Sequence, residues 1–438
     1  MKKNLAILSV IILLGVQSLI VTASVEFDND NKSITSISNN YNMVIITPNQ
    51  FSSSLNQFID HKNSIGINTF LKTTEEIYEE YQGRDQAEQI KYYIKESIEQ
   101  NNISYVLLIG DITKLPIRTS MVEWNYLGLI LTQYIKTDLY YSDVFDANGT
   151  FCSWDSNNNN LFGEYKWIFE TEEDFTYELI DSVDLYPDVG IGRIPCKTNN
   201  ELDIVINKII AYEENKASDD WFKKIILMGG DTFPNEGVSE GEFITEYIYN
   251  YMAEFDFEPI KLFTSNNKFT MSNINKEWTN GAGFISFSGH GGKYQIATHP
   301  YNQNKMNRYY MFYLFGIQNN EKLPVVFLDA CETAIQESSF LGLPCFSWLT
   351  LKYRNGGSIA VIGNTGYGYS TIISEEIIIG ASLLNILFFE SYEEEITLSD
   401  MFTAAQSKYL DVLPWKDCLT IQEYNLFGDP SLKIGGYT

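Results

Sequence analysis

The chain alternates short apolar runs with stretches of helical periodicity. Three apolar runs in the first half predict buried strands, namely MVIITP (43–48), YVLLIGD (105–111) and DVGIGRIP (188–195). Between them, apolar residues recur on one helical stripe over 51–62, 84–100 and 199–215, the last with Asn199 or Asn200 as its cap. Strands and helices that alternate in this way predict an α/β fold.

The same pattern restarts after residue 220. KIILMGGD (224–231) ends on Gly-Asp as YVLLIGD does, and a helical stretch over 238–254 precedes GFISFSG, PVVFLDA and GSIAVIG. Continuously apolar strands separated by helices predict a parallel sheet that is covered on both faces. We therefore expect two α/β subdomains, residues 43–218 and 219–438, joined near 216–220, with a polar insertion at 137–182 in the first.

The N-terminus has the pattern of an export signal. Lys2 and Lys3 precede an apolar stretch that runs to Val21, and small residues permit cleavage after Ala23. The pattern predicts a signal peptide over 1–23, a flexible leader over 24–42 and a secreted protein, with a retained N-terminal anchor as the alternative. No later stretch of the sequence is apolar for long enough to cross a membrane.

Charge and cysteine content restrict the partners and the redox chemistry. The formal net charge is −27, which argues against nucleic acid or an anionic membrane as a partner, because both require a basic surface. An odd number of cysteines in an exported chain leaves at least one thiol free or paired between molecules. The other four could form two disulfides by any of three pairings or stay reduced; the five are Cys152, Cys196, Cys331, Cys345 and Cys418.

The polar insertion contains a run of oxygen-bearing side chains. Asp155, Asn157 and Asn159 occupy alternate positions, and Glu164 follows them. This spacing suits Ca²⁺, a hard cation that takes carboxylate, amide and carbonyl oxygens, and it predicts a structural calcium site. The run is not an EF-hand, because the glycine is displaced and no bidentate glutamate stands at the twelfth position. The alternative is an Asn-rich surface turn.

The candidate chemistry lies at the ends of two predicted strands. FISFS delivers His290 within SGHGG, and VVFLD delivers Cys331. Parallel strands place such residues at one edge of the sheet, so the two would face each other if their strands are neighbours. Cys331 could then act as a nucleophile with His290 as its general acid and base, while the Gly291 N–H and the Cys331 N–H donate to a developing oxyanion.

Each residue also has a structural explanation when it is taken alone. A single histidine after a strand is more often a structural residue, and a cysteine at a strand end is more often a small buried one. Two such residues at successive strand ends, with helical sequence between them, favour the catalytic interpretation. The other two histidines, His61 and His299, are expected on the surface, although His299 is near enough in sequence to line the cleft.

SGHGG followed by LDAC resembles the clan CD cysteine peptidases, and within them peptidase family C25, the gingipain family. The block around GIGRIP and the closing NLFGDPSLKI (425–434) are also similar to segments of that family, so the resemblance extends from about Met43 to Ile434. It implies a caspase-like three-layer α/β sandwich with mostly parallel sheets in two tandem subdomains. It also implies Cys331 as the nucleophile, His290 as the general acid/base and no cofactor for catalysis.

The resemblance further implies a pocket for a basic P1 side chain. Family members that prefer arginine carry an acid at the bottom of this pocket, and Asp184 stands at the matching place before GIGR. A guanidinium against a buried carboxylate makes a strong bidentate contact. The alternative is that Asp184 caps a turn.

Two hypotheses of function follow. The first is a secreted cysteine endopeptidase that acts on proteins or peptides through a thioester acyl-enzyme, with a preference for basic P1 residues. The second is a secreted calcium-stabilised binding or adhesion protein on an inactive peptidase scaffold. The polar insertion motivates the second hypothesis, and the intact Cys331 and His290 argue against it.

Overall fold

The computed structural model describes residues 42–126, 128–169, 175–215, 217–234, 237–337, 342–374, 377–413 and 417–437. The predicted signal peptide (1–23) lies outside these residues, as does nearly all of the leader (24–42). No helix within the described ranges is both long and apolar enough to cross a membrane.

The elements follow the alternation that the sequence predicts. The strands are β1 (Met43–Thr47), β2 (Thr69–Thr73), β3 (Tyr105–Ile109), β4 (Arg118–Tyr126), β5 (Leu129–Thr137), β6 (Phe162–Phe169), β7 (Phe175–Leu179), β8 (Gly190–Ile194), β9 (Lys224–Gly229), β10 (Glu258–Phe263), β11 (Phe284–Ser288), β12 (His290–Gly292), β13 (Gln295–Thr298), β14 (Asn307–Tyr310), β15 (Val325–Asp329), β16 (Ala360–Asn364), β17 (Ser370–Ser374), β18 (Ile377–Gly380) and β19 (Tyr424–Phe427). The α-helices are α1 (Asn49–Ser52), α2 (Asn56–Ser64), α3 (Thr74–Glu80), α4 (Gln86–Asn101), α5 (Leu139–Ser142), α6 (Asn199–Glu214), α7 (Asp219–Phe222), α8 (Glu240–Met252), α9 (Met271–Asn280), α10 (Phe346–Lys352), α11 (Ala381–Phe389), α12 (Leu398–Val412) and α13 (Cys418–Glu423). Short 3₁₀ helices lie at Ser53–Leu55, Ala253–Phe255 and Met311–Gly316.

Helix boundaries follow side-chain caps. Asp85 accepts a hydrogen bond from the Glu88 N–H and begins α4, and Asn102 ends this helix in the left-handed conformation. Thr198 begins α6 by accepting from the Glu201 N–H. The predicted Asn199 or Asn200 cap is therefore wrong, because the threonine one position earlier already satisfies the free N–H.

Ten strands form one central sheet in the order β10-β9-β11-β15-β16-β19-β8-β3-β1-β2. All neighbouring pairs are parallel except β16 and β19, so the mostly parallel α/β prediction is confirmed. The strands of 43–218 and those of 219–438 are joined edge to edge through β19, which comes from the end of the second half but runs parallel to β8. Because direction reverses at β16–β19, the carboxyl ends of β11 and β15 share an edge with the amino ends of β8 and β3.

Apolar side chains cover both faces of this sheet. Alternation along β9 sends Ile225 and Leu227 into one buried cluster and Ile226 and Met228 into another. Helices α8 and α11 pack on the first of these clusters, whereas the buried Trp278 of α9 belongs to the second. Burial on both faces explains why these strands read as unbroken apolar runs.

The polar insertion is more ordered than a loop. Residues 118–179 contain a four-stranded sheet in the order β5-β4-β6-β7, of which β4 already lies before the predicted start at residue 137. Hydrogen bonds join this sheet to the rest of the protein. Gln133 of β5 donates to Glu423, and the Thr365 hydroxyl donates to the Lys136 carbonyl. The four-stranded sheet therefore lies beside the edge at which β15 and β16 end.

Candidate active site

Two neighbouring strands carry the predicted dyad to one edge of the central sheet. β11 and β15 are parallel partners in a register that sets Ser288 beside Asp329 at their carboxyl ends. His290 follows the first strand and Cys331 follows the second. The neighbouring strands required by the sequence argument are therefore present.

Gly291 lies directly against the backbone of residues 330–332, which we call the nucleophile turn. A Cβ atom placed on Gly291 would overlap the Cys331 carbonyl oxygen and come within 2.8 Å of the Ala330 Cβ. A side chain at this position has no room, so the glycine permits the close approach of the two strand ends. The same contact sets the Gly291 backbone, whose N–H is a predicted oxyanion donor, beside Cys331.

The imidazole of His290 is held by a third strand end. Its Nε2 lies 2.9 Å from the carbonyl oxygen of Thr232, which follows β9. A carbonyl can only accept, so Nε2 carries the hydrogen, and the neutral ring keeps its lone pair on Nδ1. Burial lowers the pKa of His290, His299 and Arg308 lower it further, and the Thr232 bond acts in the opposite direction.

The thiol of Cys331 contacts the segment that follows β16. Its Sγ donates to the Gly368 carbonyl at 3.5 Å. Burial raises its pKa to about 12, and the negative charges of Glu423, Asp329 and Glu332 also raise it. The thiol, whose pKa is raised, and the imidazole, whose pKa is lowered, are therefore both neutral at rest.

No disulfide joins any of the five cysteines, all of which lie in the described part of the chain. Cys331 is the partly exposed one, and the other four are buried. The structure thus agrees with the reduced alternative for the other four cysteines, and Cys331 differs from them in its exposure rather than in its pairing.

A small acidic cavity of about 20 Å³ lies behind His290. Glu240, at the start of α8, and Asp329 face it, together with Thr232, Phe233, Ser288, Gly289, Ser370 and Ser382. Glu240 Oε2 accepts from the backbone N–H groups of Thr232 and Phe233, and Asp329 Oδ2 accepts from the hydroxyls of Ser288 and Ser382 at 2.7 Å. Burial raises the pKa of both acids, that of Asp329 to about 6.

Asp184 is not brought to this cavity. Its Oδ1 accepts from the Tyr186 N–H, and its charge acts on the neighbouring carboxyls of Asp143 and Asp188. Among the contacts of the described residues, none joins Asp184 to His290, Cys331 or the cavity. The geometry agrees with the turn alternative and gives no support to a role in P1 binding.

The four residues predicted to bind calcium do meet, but they satisfy one another. Asn157 and Asn159 donate their side-chain amides to Glu164 Oε2, and Asp155 accepts from the Asn159 and Asn160 N–H groups and from the Arg84 guanidinium. Within the described part of the chain, no group of three or more acidic, His or Cys side chains is arranged to hold a metal ion. The arrangement does not fit Ca²⁺, and calcium binding remains an untested prediction.

Several residues of the site carry no signal in the sequence. Thr232 and Phe233 follow β9, the third strand that ends at this edge, and Glu240 begins the next helix.

His299 and His61 are buried, so the expectation of surface positions is wrong. The His299 ring lies at right angles to that of His290, with centroids 5.6 Å apart, and its backbone pairs with that of Asp231.

The chain is similar to known proteins over most of its length. The profile of peptidase family C25 matches residues 36–435. Gingipain R2 and gingipain R1 of Porphyromonas gingivalis are each 21% identical over 412 residues, which is 90% of this chain but 46% and 34% of those proteins. The chain thus spans less than half the length of these curated relatives.

Solved structures share the fold. The crystal structure of the Arg-specific cysteine proteinase gingipain R superposes with a TM-score of 0.64 at 20% identity, covering 91% of this chain and 79% of that one. The complex of the pro- and mature domains of RgpB from Porphyromonas gingivalis gives 0.63 at 20% identity, covering 90% and 79%. The predicted caspase-like α/β fold is confirmed, and because the family profile spans most of its length, the chain belongs to peptidase family C25, a family of cysteine-type peptidases.

Proposed function

We propose that the protein is a cysteine endopeptidase with Cys331 as nucleophile and His290 as general acid and base. The observation that carries this proposal is the packing of Gly291 against the Cys331 backbone, which brings the two strand ends together. Family membership supports the reaction class. The acidic surface and the export pattern of the N-terminus support a secreted enzyme that acts on proteins or peptides.

The neutral dyad sets the order of the proton transfers. The thiol passes its proton to His290 Nδ1 as Sγ attacks the scissile carbonyl carbon, and the oxyanion is held by the N–H groups of Gly291 and Cys331. The imidazolium then protonates the leaving amine, the C–N bond breaks and a thioester remains. Water, deprotonated by His290, cleaves the thioester and restores the thiol.

The acidic cavity behind His290 supports a basic P1 residue. Glu240 and Asp329 supply carboxylates in a site with little water, where a guanidinium contact is strong. As it stands the cavity holds about one water molecule. Side chains at its wall, such as Phe233, therefore have to move when a larger P1 side chain enters.

Substitution of the dyad tests the peptidase assignment. Cys331→Ala and His290→Ala should each lower kcat/KM for peptide hydrolysis by at least about a thousandfold, because each removes a group that bonds to or exchanges a proton with the reacting atoms. Turnover is measured on a mixed peptide library, with Cys345→Ala as a matched control that removes a buried thiol elsewhere. Wild-type turnover in either dyad variant would refute the assignment.

A second pair of variants tests the pocket. Glu240→Gln should lower kcat/KM for substrates with arginine at P1 by about tenfold to a hundredfold and leave small P1 residues little affected, because it removes a charge from the cavity. Asp184→Asn is the control, since its carboxyl lies elsewhere. The reverse result, loss in Asp184→Asn alone, would restore the assignment made from the sequence.

A further inference from the structure

A fully buried carboxyl group lies beneath the candidate site and takes no part in the proposed proton transfers. Glu423 is the last residue of α13. Its Oε1 accepts from Gln133 Nε2 at 2.6 Å, and its Oε2 accepts from Asn364 Nδ2 at 2.9 Å. Its backbone carbonyl accepts from the Thr365 N–H at 2.9 Å. The side chain thus links the four-stranded sheet of the insertion to the end of β16.

The residues after β16 rest on this carboxyl group. We call residues 365–369 the glycine loop. A Cβ on Gly366 would lie 2.6 Å from Glu423 Oε1, and one on Gly368 would lie 3.2 Å from Oε2. The Gly366 N–H donates to Asn364 Oδ1 at 2.6 Å. The backbone of the loop is therefore seated on Glu423 and Asn364, at positions where side chains would collide.

The other side of the glycine loop contacts the nucleophile turn at two points. The Cys331 thiol donates to the Gly368 carbonyl, and the Glu332 N–H donates to the Gly366 carbonyl at 2.9 Å. Glu332 has φ of 54°, a left-handed conformation that a residue with a side chain adopts only when its surroundings hold it there. The loop thus braces a strained turn that directly follows the thiol.

We propose that Glu423 is a positioning residue of the peptidase site, which seats the glycine loop against Cys331 and Glu332 and, when it is ionised, places a negative charge close to the thiol. The proposal rests on the proposed function in taking Cys331 as the nucleophile. Glu423 acts through the loop and does not touch the substrate.

The charges around the Cys331 thiol and the Glu423 carboxyl group predict that thiol reactivity depends on pH. Glu423 is the largest charge contribution to the raised pKa of Cys331, ahead of Asp329 and Glu332. The pKa of Glu423 itself is raised to about 8, mainly by burial and in part by Asp417, whereas the amides of Asn364 and Gln133 act in the opposite direction. The carboxyl group is therefore neutral at mildly acidic pH and charged at alkaline pH.

The test is the rate at which iodoacetamide alkylates Cys331 in the folded chain, followed by mass spectrometry of the Cys331 peptide. At about pH 9, Glu423→Gln should react roughly threefold to tenfold faster than wild type, because loss of the charge favours the thiolate. At about pH 6 the two rates should agree, since the side chain at position 423 is then uncharged in both proteins. Glu99→Gln, which removes an exposed acid of α4, is the matched control and should follow wild type throughout.

A second variant separates position from charge. Glu423→Asp keeps the charge but shortens the side chain, so the alkylation profile should stay near that of wild type while kcat falls about tenfold and KM changes less than about twofold. If Glu423→Gln does not fold, Gln133→Ala carries the test: it removes one bond at a half-buried position and should lower kcat about threefold.

The outcomes distinguish this proposal from the proposed function. Equal alkylation of Glu423→Gln and wild type at all pH values, or an unchanged kcat in the fallback variant Gln133→Ala, overturns the role of Glu423. A pH-dependent alkylation difference in a protein that hydrolyses no peptide upholds the effect of Glu423 on the thiol and overturns the peptidase assignment alone.

Discussion

At the scale of single residues, two adjacent glycines after β11 have different roles. Gly291 lies against the Cys331 carbonyl, whereas a Cβ on Gly292 would meet no atom within 4 Å. Only the first therefore controls the approach of the two strand ends.

Alanine at these two positions provides a matched comparison. Gly291→Ala should lower kcat/KM for peptides by about a hundredfold or more, because the added methyl group displaces the nucleophile turn by a distance that catalysis does not tolerate. Gly292→Ala should stay within about threefold of wild type. Peptide hydrolysis and circular dichroism of both variants check this, and similar losses in the two variants would contradict it.

Single residues also show how far the sequence reaches. His290 and Cys331 could be predicted because each ends a run of apolar residues, and parallel strands gather such ends at one edge. Glu240 and Glu423 could not, because each stands at the end of a helix and reaches the site only through the packing of that helix. The family resemblance predicts Asp184 as the acid of the P1 pocket because it precedes GIGR. In the structure its neighbours are Tyr186, Asp143 and Asp188.

At the scale of elements, an ion network fastens α2 to α6 and to the segment that follows β19. Lys62 Nζ lies 2.7 Å from Glu213 Oε1 of α6 and also pairs with Asp429 after β19, and all three side chains are fully buried. His61 Nε2 lies 3.0 Å from the second oxygen of Glu213. Buried charges are tolerated only when they are paired, so the network holds these elements in one arrangement.

Removal of the lysine should be strongly destabilising. Lys62→Met leaves Asp429 buried without its lysine partner and Glu213 with only His61, and we expect the free energy of unfolding to fall by about 3–5 kcal/mol. Lys95→Met, which breaks the more exposed pair with Glu99 on α4, should change it by less than about 0.5 kcal/mol. Urea unfolding of the two variants measures both values, and a small effect at Lys62 would show that the network is not needed.

The insertion shows why some elements escape sequence analysis. Residues 137–182 look like a polar loop because Asp, Asn and Ser recur through them, yet β6 and β7 pair within this range, β4 precedes it and β5 ends at its first residue. The outer half of β5 exposes Leu129, Ile130, Leu131 and Tyr134, so its apolar positions do not alternate as those of a half-buried strand do. Pairing with β4 and packing on Glu423 hold the strand instead.

At the scale of the whole molecule, an acidic chain contains carboxyl groups that favour the protonated form. The net charge is −27, and the buried Glu423 has a pKa raised to about 8 from its ordinary 4.5. Between pH 4.5 and about pH 8, Glu423 binds more protons in the folded chain than in the unfolded chain. This group therefore makes the free energy of unfolding fall as the pH rises.

This linkage can be isolated with one variant. Relative to Glu423→Gln, which does not titrate at this position, wild type should lose up to about 1.4 kcal/mol of stability per pH unit between about pH 5 and pH 8. Urea unfolding of both proteins across this range gives the difference, from which any constant effect of the substitution cancels. A difference that does not vary with pH would show that the carboxyl group is ionised throughout.

The position of β19 has a consequence for the order in which the molecule can be completed. This strand lies in the middle of the sheet, between β16 and β8, yet it is the last of the ten strands to leave the ribosome. Until it arrives, the two halves of the sheet have facing edges with unpaired N–H and C=O groups, and Glu423, which directly precedes β19, is absent from beneath the glycine loop. A nascent or truncated chain would therefore carry both dyad residues without a seated nucleophile, so peptidase activity would appear only after the last strand is in place.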